Sequence, residues 1–299
     1  MEQNTLEVTE RSEVFEFASL RDLVNQALHQ NFGEIQLSNG LSTGFRDLDN
    51  VIKGLKKGEL TTVAVKPGMG KTALMLSFAN NLAIKNNHSV AIFSSERSST
   101  KITNRLIESE TGMSLDKLIK GNMRPSEKDH MYSLVSQIAK ASIFMDDTQQ
   151  LSVEELFQKA RQLKISNNIE LIIVDYLELL STDQLDPESR QEELNKIVYT
   201  LKGIAKELNI PVLLFSQVPG HYPSNVVQRP SLKDIPVFLS ELSDVVLFLH
   251  RTDLIVRPNS TENHPTDLVE IIVGKYNDQK NEDIVQLRYI ESHAKFTDK

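Results

Sequence analysis

Residues 65–72 read Val-Lys-Pro-Gly-Met-Gly-Lys-Thr, and they join an apolar, β-branched run, Leu60–Val65, to a segment of helical pattern. A glycine-rich turn in that position is built to hold phosphate. Gly68 and Gly70 let backbone amides curl around anionic oxygens with no Cβ in the way. Lys71 supplies a point charge for the outer phosphates, and the Thr72 hydroxyl is an oxygen ligand for Mg²⁺. Lys66, Pro67, Met69 and Ala73 complete the loop and its entry into the helix, whose N-terminus adds its own positive end. One position departs from the G-x-x-x-x-G-K-[ST] pattern, because Val65 stands where the first glycine would be.

Three further side chains suit hydrolysis of a bound triphosphate. Asp175 ends the apolar run 169–175 and is placed to hold Mg²⁺ through water. Glu96 follows the apolar run 89–93, and a carboxylate there can serve as base toward an attacking water. Gln217 closes the run 211–216; it is read either as a sensor of the terminal phosphate, as a contact to nucleic acid, or as a plain loop amide. Strand ends of one polarity converge on the ligand crevice of an open α/β sheet, so these carboxylates and the glycine loop are expected to meet.

The elements that must position them alternate. Strands are expected at 60–65, 89–93, 141–145, 170–175, 211–216, 243–250, 268–275 and 283–291. Helices are expected at 72–83, across 100–140, and at 153–164 and 189–208. Apolar strands alternating with helices predict a largely parallel sheet covered on both faces. The last strands have no helix between them, which predicts an antiparallel edge. Residues 1–16, with five acids, read as a flexible tail. Residues 17–40 read as a helix and linker: Leu20, Leu23, Val24, Ala27 and Leu28 form one stripe. That stripe docks either on its own domain or on a neighbouring subunit. Residues 41–299 form the main domain.

Composition narrows the function classes. The chain has 299 residues, a net charge of −8 and no cysteine. The missing cysteines exclude disulfides, thiolate metal centres and cysteine nucleophiles, and fit a cytoplasmic location. No apolar run is long enough for a membrane span. The negative balance weighs against broad coating of nucleic acid but leaves room for a narrow single-strand site.

The order of motifs resembles one family. Thr43-Gly44-Phe45-Arg46-Asp47-Leu48-Asp49 precedes the phosphate loop. Phe93-Ser94-Ser95-Glu96, Val174-Asp175-Tyr176-Leu177-Glu178-Leu179, Ser216-Gln217, His250-Arg251, 271–275 and Lys295-Phe296 follow it. Together they are similar to the RecA-like P-loop ATPase domain of DnaB-type replicative DNA helicases, over about residues 40–297. No counterpart of that family's separate N-terminal helical domain is seen. The resemblance implies a RecA-like α/β fold with a twisted, mainly parallel sheet and an N-terminal linker helix. It implies ATP and Mg²⁺ as ligands, a homo-oligomeric ring, expected as a hexamer, single-stranded DNA as a partner, and contact with replication proteins. It gives Lys71 and Thr72 to phosphate and Mg²⁺, Glu96 to the water, Asp175 to Mg²⁺ and Gln217 to coupling with DNA loops. Arg251 would lie near the nucleotide base. Lys275 would reach the neighbour's site as the first residue of a K-x-R pair.

The departures from the family pattern are specific. Asn277 occupies the second position of that pair, where the arginine finger stands. A finger is worth roughly 10³–10⁵ in rate, so slow hydrolysis is expected unless Arg97, Arg288 or Lys280 takes its place. The first DNA-facing loop carries Asp183, Asp186 and Glu188 across 182–188, which weakens the case for DNA. The stretch 234–239 lacks the family's arginine. These departures support an alternative reading, an ATP-binding helicase paralogue acting as an assembly or regulatory factor.

Overall fold

A computed structural model describes residues 40–114, 116, 124–183, 189–218, 228–251 and 267–299. The tail and the expected helix at 17–30 lie outside the described residues, as do 184–188, within the loop that the resemblance expects to face DNA first, and 219–227.

Ten strands form one sheet, in the order β10-β9-β7-β6-β1-β5-β4-β2-β3, with β8 hydrogen-bonded to β7. The parallel part contains β1 (Leu60–Val65), β2 (Val90–Ser94), β3 (Ile143–Asp146), β4 (Leu171–Asp175), β5 (Val212–Gln217) and β6 (Val245–His250). β7 (Leu268–Tyr276), β8 (Gln279–Lys280), β9 (Ile284–Ile290) and β10 (Lys295–Asp298) extend it antiparallel, as the missing crossover helix predicts. Strands β1, β2, β4 and β6 are buried along their whole length. That burial is why they read as unbroken apolar runs rather than alternating ones.

Period-two alternation splits their side chains between two cores. Val63 and Val65 of β1 join Leu171 and Ile173 of β4 in the first core, beneath α1 (Arg46–Ile52), α2 (Lys71–Ala79) and α3 (Ser99–Thr111). Leu60, Ala64, Ile172 and Val174 face the second, under α5 (Val153–Asn167) and α6 (Arg190–Leu208). Among the described residues, further helices are α4 (Pro125–Lys140) and α7 (Val237–Leu242).

Helix α2 is buried from Thr72 to Ala79, as expected of a helix that is apolar all round. It continues as a π-helical turn over Asn80–Lys85, so the expected helix 72–83 changes winding part-way. Strand β10, α1 and α7 were not expected. β10 packs against α2, where the Phe296 amide donates to Ser77 Oγ at 3.0 Å.

Candidate functional site

The strands deliver the three reactive elements to one edge of the sheet. Val65 is paired with Gln217, and Ser94 with Asp175. The C-terminal ends of β1, β2, β4 and β5 therefore lie side by side, and the glycine loop leaves from the middle of them.

Within the loop, Gly70 caps α2 in the left-handed region, at φ 95°. A Cβ there would also meet Phe296 Cζ at 3.3 Å and sit 3.8 Å from an Arg251 nitrogen. Both conformation and crowding thus demand glycine. Gly68 is also left-handed, at φ 76°, but a Cβ on it would meet nothing within 4 Å. The space over Gly68 is open cradle.

Lys71 is the hub. Its Nζ donates to Asp175 Oδ1 at 2.5 Å and to Glu96 Oε2 at 2.7 Å, and lies 3.5 Å from the centre of the Tyr176 ring. The Asp175 side chain is fully buried and also accepts from Ser94 Oγ at 3.3 Å. An ammonium held by two carboxylates beside a glycine cradle fits an incoming polyphosphate, which can take over the cation. Asp175 and the Thr72 hydroxyl then offer hard oxygen ligands of the kind Mg²⁺ prefers.

A cavity of about 690 Å³ opens over these groups. Lys66, Pro67, Gly68, Gly70, Lys71, Thr72 and Ala73 line its floor, with Glu96, Arg97 and Gln217 at its side. Tyr289 and residues 291–294 form the far wall. Met69, Asp175 and Arg251 are not among the lining residues. The Arg251 guanidinium lies 3.8 Å from the centre of the Tyr289 ring.

The scan of the chain against family models matches the DnaB-like helicase C-terminal domain over residues 40–298. The chain belongs to that family. It is 32% identical to the replicative DNA helicase DnaB of Geobacillus stearothermophilus, and 30% to the replicative DNA helicase DnaC of Bacillus subtilis. Each alignment takes in 99% of this chain and 65% of the relative, so the chain spans about two thirds of their length. Two solved structures share the fold at 24% identity. One is the ATPase domain of G40P (TM-score 0.84, 95% of this chain and 100% of that one). The other is a DnaB-like replicative helicase studied with primase (TM-score 0.82, 95% of this chain and 68% of that one). The fold is that of a RecA-like DnaB ATPase domain.

Other residues singled out through the family resemblance lie elsewhere. Lys275 is away from the cavity. Its Nζ donates to the main-chain carbonyls of Ser240, Glu241 and Ser243 at 3.0, 3.2 and 2.8 Å, and pairs with Asp278 at 3.1 Å. Asn277 and Asp278, at φ 48° and 60°, are the two turn residues between the paired Tyr276 and Gln279. A two-residue hairpin turn with both residues left-handed favours Asn and Asp. The turn therefore accounts physically for asparagine at 277. Its Oδ1 accepts from Lys56 at 3.2 Å. Arg190, the first residue of α6 and the basic residue next after the first loop, donates to the carbonyls of Glu178 and Leu180 at 2.9 Å.

Glu178 is a site residue that sequence reasoning treated only as part of a motif. Its Oε1 accepts from Ser216 Oγ at 2.6 Å and from the Gln217 amide at 3.0 Å, so it ties the turn after β4 to the end of β5. Its Oε2 is buried with no partner among the described residues. Burial pushes its pKa above the ordinary carboxylate value, against the hydrogen bonds and Lys71, which pull it down. The one signal in the sequence is an acid inside Leu177-Glu178-Leu179-Leu180. Lys66 closes the opposite side. Its Nζ donates to the Gln228 carbonyl at 2.9 Å, and burial lowers its pKa.

Proposed function

We propose that this domain binds ATP with Mg²⁺ and hydrolyses it to drive movement along single-stranded DNA, as a DnaB-type helicase or translocase. The observation that carries this reading is the convergence of Lys71, Glu96 and Asp175 over an open glycine cradle. Lys71 turns from the carboxylates to the outer phosphates. Thr72 and Asp175 are the residues that would hold Mg²⁺, which when bound would offset phosphate charge. Glu96, released from Lys71, takes the proton of the attacking water. Gln217 stands at the end of β5, and the stretch from there to Arg229 is the one that the family resemblance expects as a second DNA-facing loop. Its amide is fixed by Glu178, and the amide of Val218 donates to the Val65 carbonyl at 3.0 Å. Displacement of the phosphate loop would thus be passed to that loop. The family membership supports a ring of identical subunits, expected as a hexamer, with ATP between subunits and replication proteins as partners. No helix among the described residues is long and apolar enough to cross a membrane.

A second reading is favoured by the first loop. Arg190 is spent on main-chain carbonyls, and Thr182 and Asp183 are held by the Glu154 carboxylate at 2.7 and 3.1 Å. A loop stem organised by acids is poorly suited to a phosphate backbone. It fits an ATP-binding paralogue that regulates or assembles a helicase.

ATP turnover with and without single-stranded DNA separates the two readings. The helicase reading expects turnover that rises with DNA and falls to background in Lys71→Ala. Lys71-dependent ATP binding with no response to DNA would remove translocation and leave the paralogue.

A further inference from the structure

Phosphoryl transfer builds negative charge on the terminal oxygens and on the bridging oxygen of the leaving diphosphate. Lys71 is one cation for that charge. Among the described residues, two guanidinium groups also line the cavity, those of Arg97 and Arg105. Arg97 follows Glu96 directly in the turn after β2. One of its terminal nitrogens stands 3.5 Å from Glu96 Oε1, while Lys71 holds Oε2 at 2.7 Å. The carboxylate is clasped between two cations. The contact to Arg97 is the looser, and Arg97 Nε is buried with no hydrogen-bond partner among the described residues.

A buried guanidinium N–H without an acceptor is unfavourable, and an ion pair as long as 3.5 Å recovers little of it. The position makes sense if the acceptor arrives with a ligand. A terminal phosphoryl group over Gly68 and Lys71 would bring oxygens into the same cavity, and phosphate oxygens match the planar fork of arginine. Two other candidate cations are worse placed. Arg288 is half exposed, lies 3.6 Å from Asp267 and does not line the cavity, and the Lys275 ammonium is held by carbonyls of its own chain.

We propose that Arg97 is a catalytic residue acting in cis, contacting the terminal phosphoryl group of the triphosphate held by its own chain. In the reaction, the water oxygen bonds to the terminal phosphorus as the bond from that phosphorus to the bridging oxygen breaks. One water proton passes to Glu96, and the bond pair stays with the bridging oxygen of the diphosphate. Arg97 lies beside both events, donating to the phosphoryl oxygens as their charge grows. This inference rests on the ATPase reading and deepens it.

The test uses the full chain, Arg97→Ala and Arg97→Lys. Each is titrated with a non-hydrolysable ATP analogue and with ADP plus aluminium fluoride, which mimics the transferring phosphoryl group, both with Mg²⁺. Arg97→Ala is expected to lose about 10³-fold in kcat. Its KM and its affinity for the ATP analogue should stay within a few-fold of wild type, which also reports that the site is folded. Tight binding of ADP–aluminium fluoride should disappear, and Arg97→Lys should recover part of it. A mixture of Lys71→Ala and Arg97→Ala chains should gain no turnover over the two alone, because every site then carries one defect. Recovery on mixing would move Arg97 into the neighbour's site and overturn the cis assignment. Wild-type behaviour of Arg97→Ala in both titrations would overturn the inference alone, as would loss at Arg105→Ala with Arg97→Ala silent. A wild-type chain that binds neither probe would remove the ATPase reading, and Arg97 with it.

Discussion

Lys71 and Lys275 are nearly equally buried, with 14% and 11% of their side chains exposed, yet their partner sets differ. Lys71 is gripped by two carboxylates at the edge of an open cavity. Lys275 is surrounded by three main-chain carbonyls around the end of α7, and the carboxylate it pairs with, Asp278, is exposed on the neighbouring turn. A carboxylate pair is exchangeable, since a polyphosphate can take the ammonium and leave the acids to bind a cation or a proton. Carbonyls at a helix C-terminus are part of the fold, and a lysine among them acts as a cap that also meets the negative end of the helix. For Lys275 to serve a neighbouring site it would have to abandon all three. Similar burial thus goes with different surroundings, from which we expect one ammonium to change partners and the other to stay fixed.

The largest test exchanges the readouts at these two positions. Lys275→Ala should lower the free energy of unfolding by about 3 kcal/mol, since it removes charged hydrogen bonds and leaves buried carbonyls unpaired. Lys71→Ala should show its main loss in turnover. Denaturant unfolding and ATPase rates on both variants check this. If Lys275→Ala melts like wild type but loses turnover, the lysine acts on a neighbouring subunit and the contrast fails.

A smaller effect separates the buried acid from the exchangeable ones. Burial raises the pKa of Glu178 above 4.5 in the folded chain. Between 4.5 and the folded value, the folded state holds more protons than the unfolded one, so this group's contribution to stability falls as pH rises through that window. Glu178→Gln keeps an oxygen for Ser216 and Gln217 and cannot ionise. Its stability relative to wild type should be higher at pH 8 than at pH 5, read from melting temperatures at the two values. An equal offset at both would mean that Glu178 titrates as an ordinary exposed acid.

The smallest effect lies at the hairpin beside Lys275. Asn277→Gly should be near neutral, and Asn277→Arg should cost about 1 kcal/mol because of the left-handed backbone. A rise in turnover in Asn277→Arg despite that cost would show that a guanidinium reaching from this turn is useful to the site. Unchanged turnover is the expected outcome if Arg97 already holds that post.

What was legible in the sequence follows from the same contrast between local and distant causes. Strands β1, β2, β4 and β5 were readable because burial on both faces forces an apolar run. The glycine loop was readable because its geometry is set by neighbouring residues. The partners of Lys275 were not, since they depend on β6 pairing with β7 and on α7 folding back beside them. α1, with seven residues, and β10, with four, are too short for periodicity to declare them. Glu178 was hidden for a similar reason. Its significance comes from Ser216 and Gln217 on another strand, and the chain itself shows only one acid among leucines.

β1 lies at the centre of the sheet, flanked by β5 on one side and β6 on the other. As the chain is synthesised, β1 and its glycine loop emerge early, while both flanking strands come much later, at Val212–Gln217 and Val245–His250. Until then a strand that is buried along its whole length in the folded domain has two open edges and neither of its neighbours to pair with. Pairing at such sequence separation is slow, and unpaired edges invite association with other chains. The same central placement that brings Gln217 next to the phosphate loop makes that loop one of the last parts of the molecule to acquire its shape. A ribosome-bound chain stopped before β6 should therefore be unable to hold nucleotide, however complete its glycine loop.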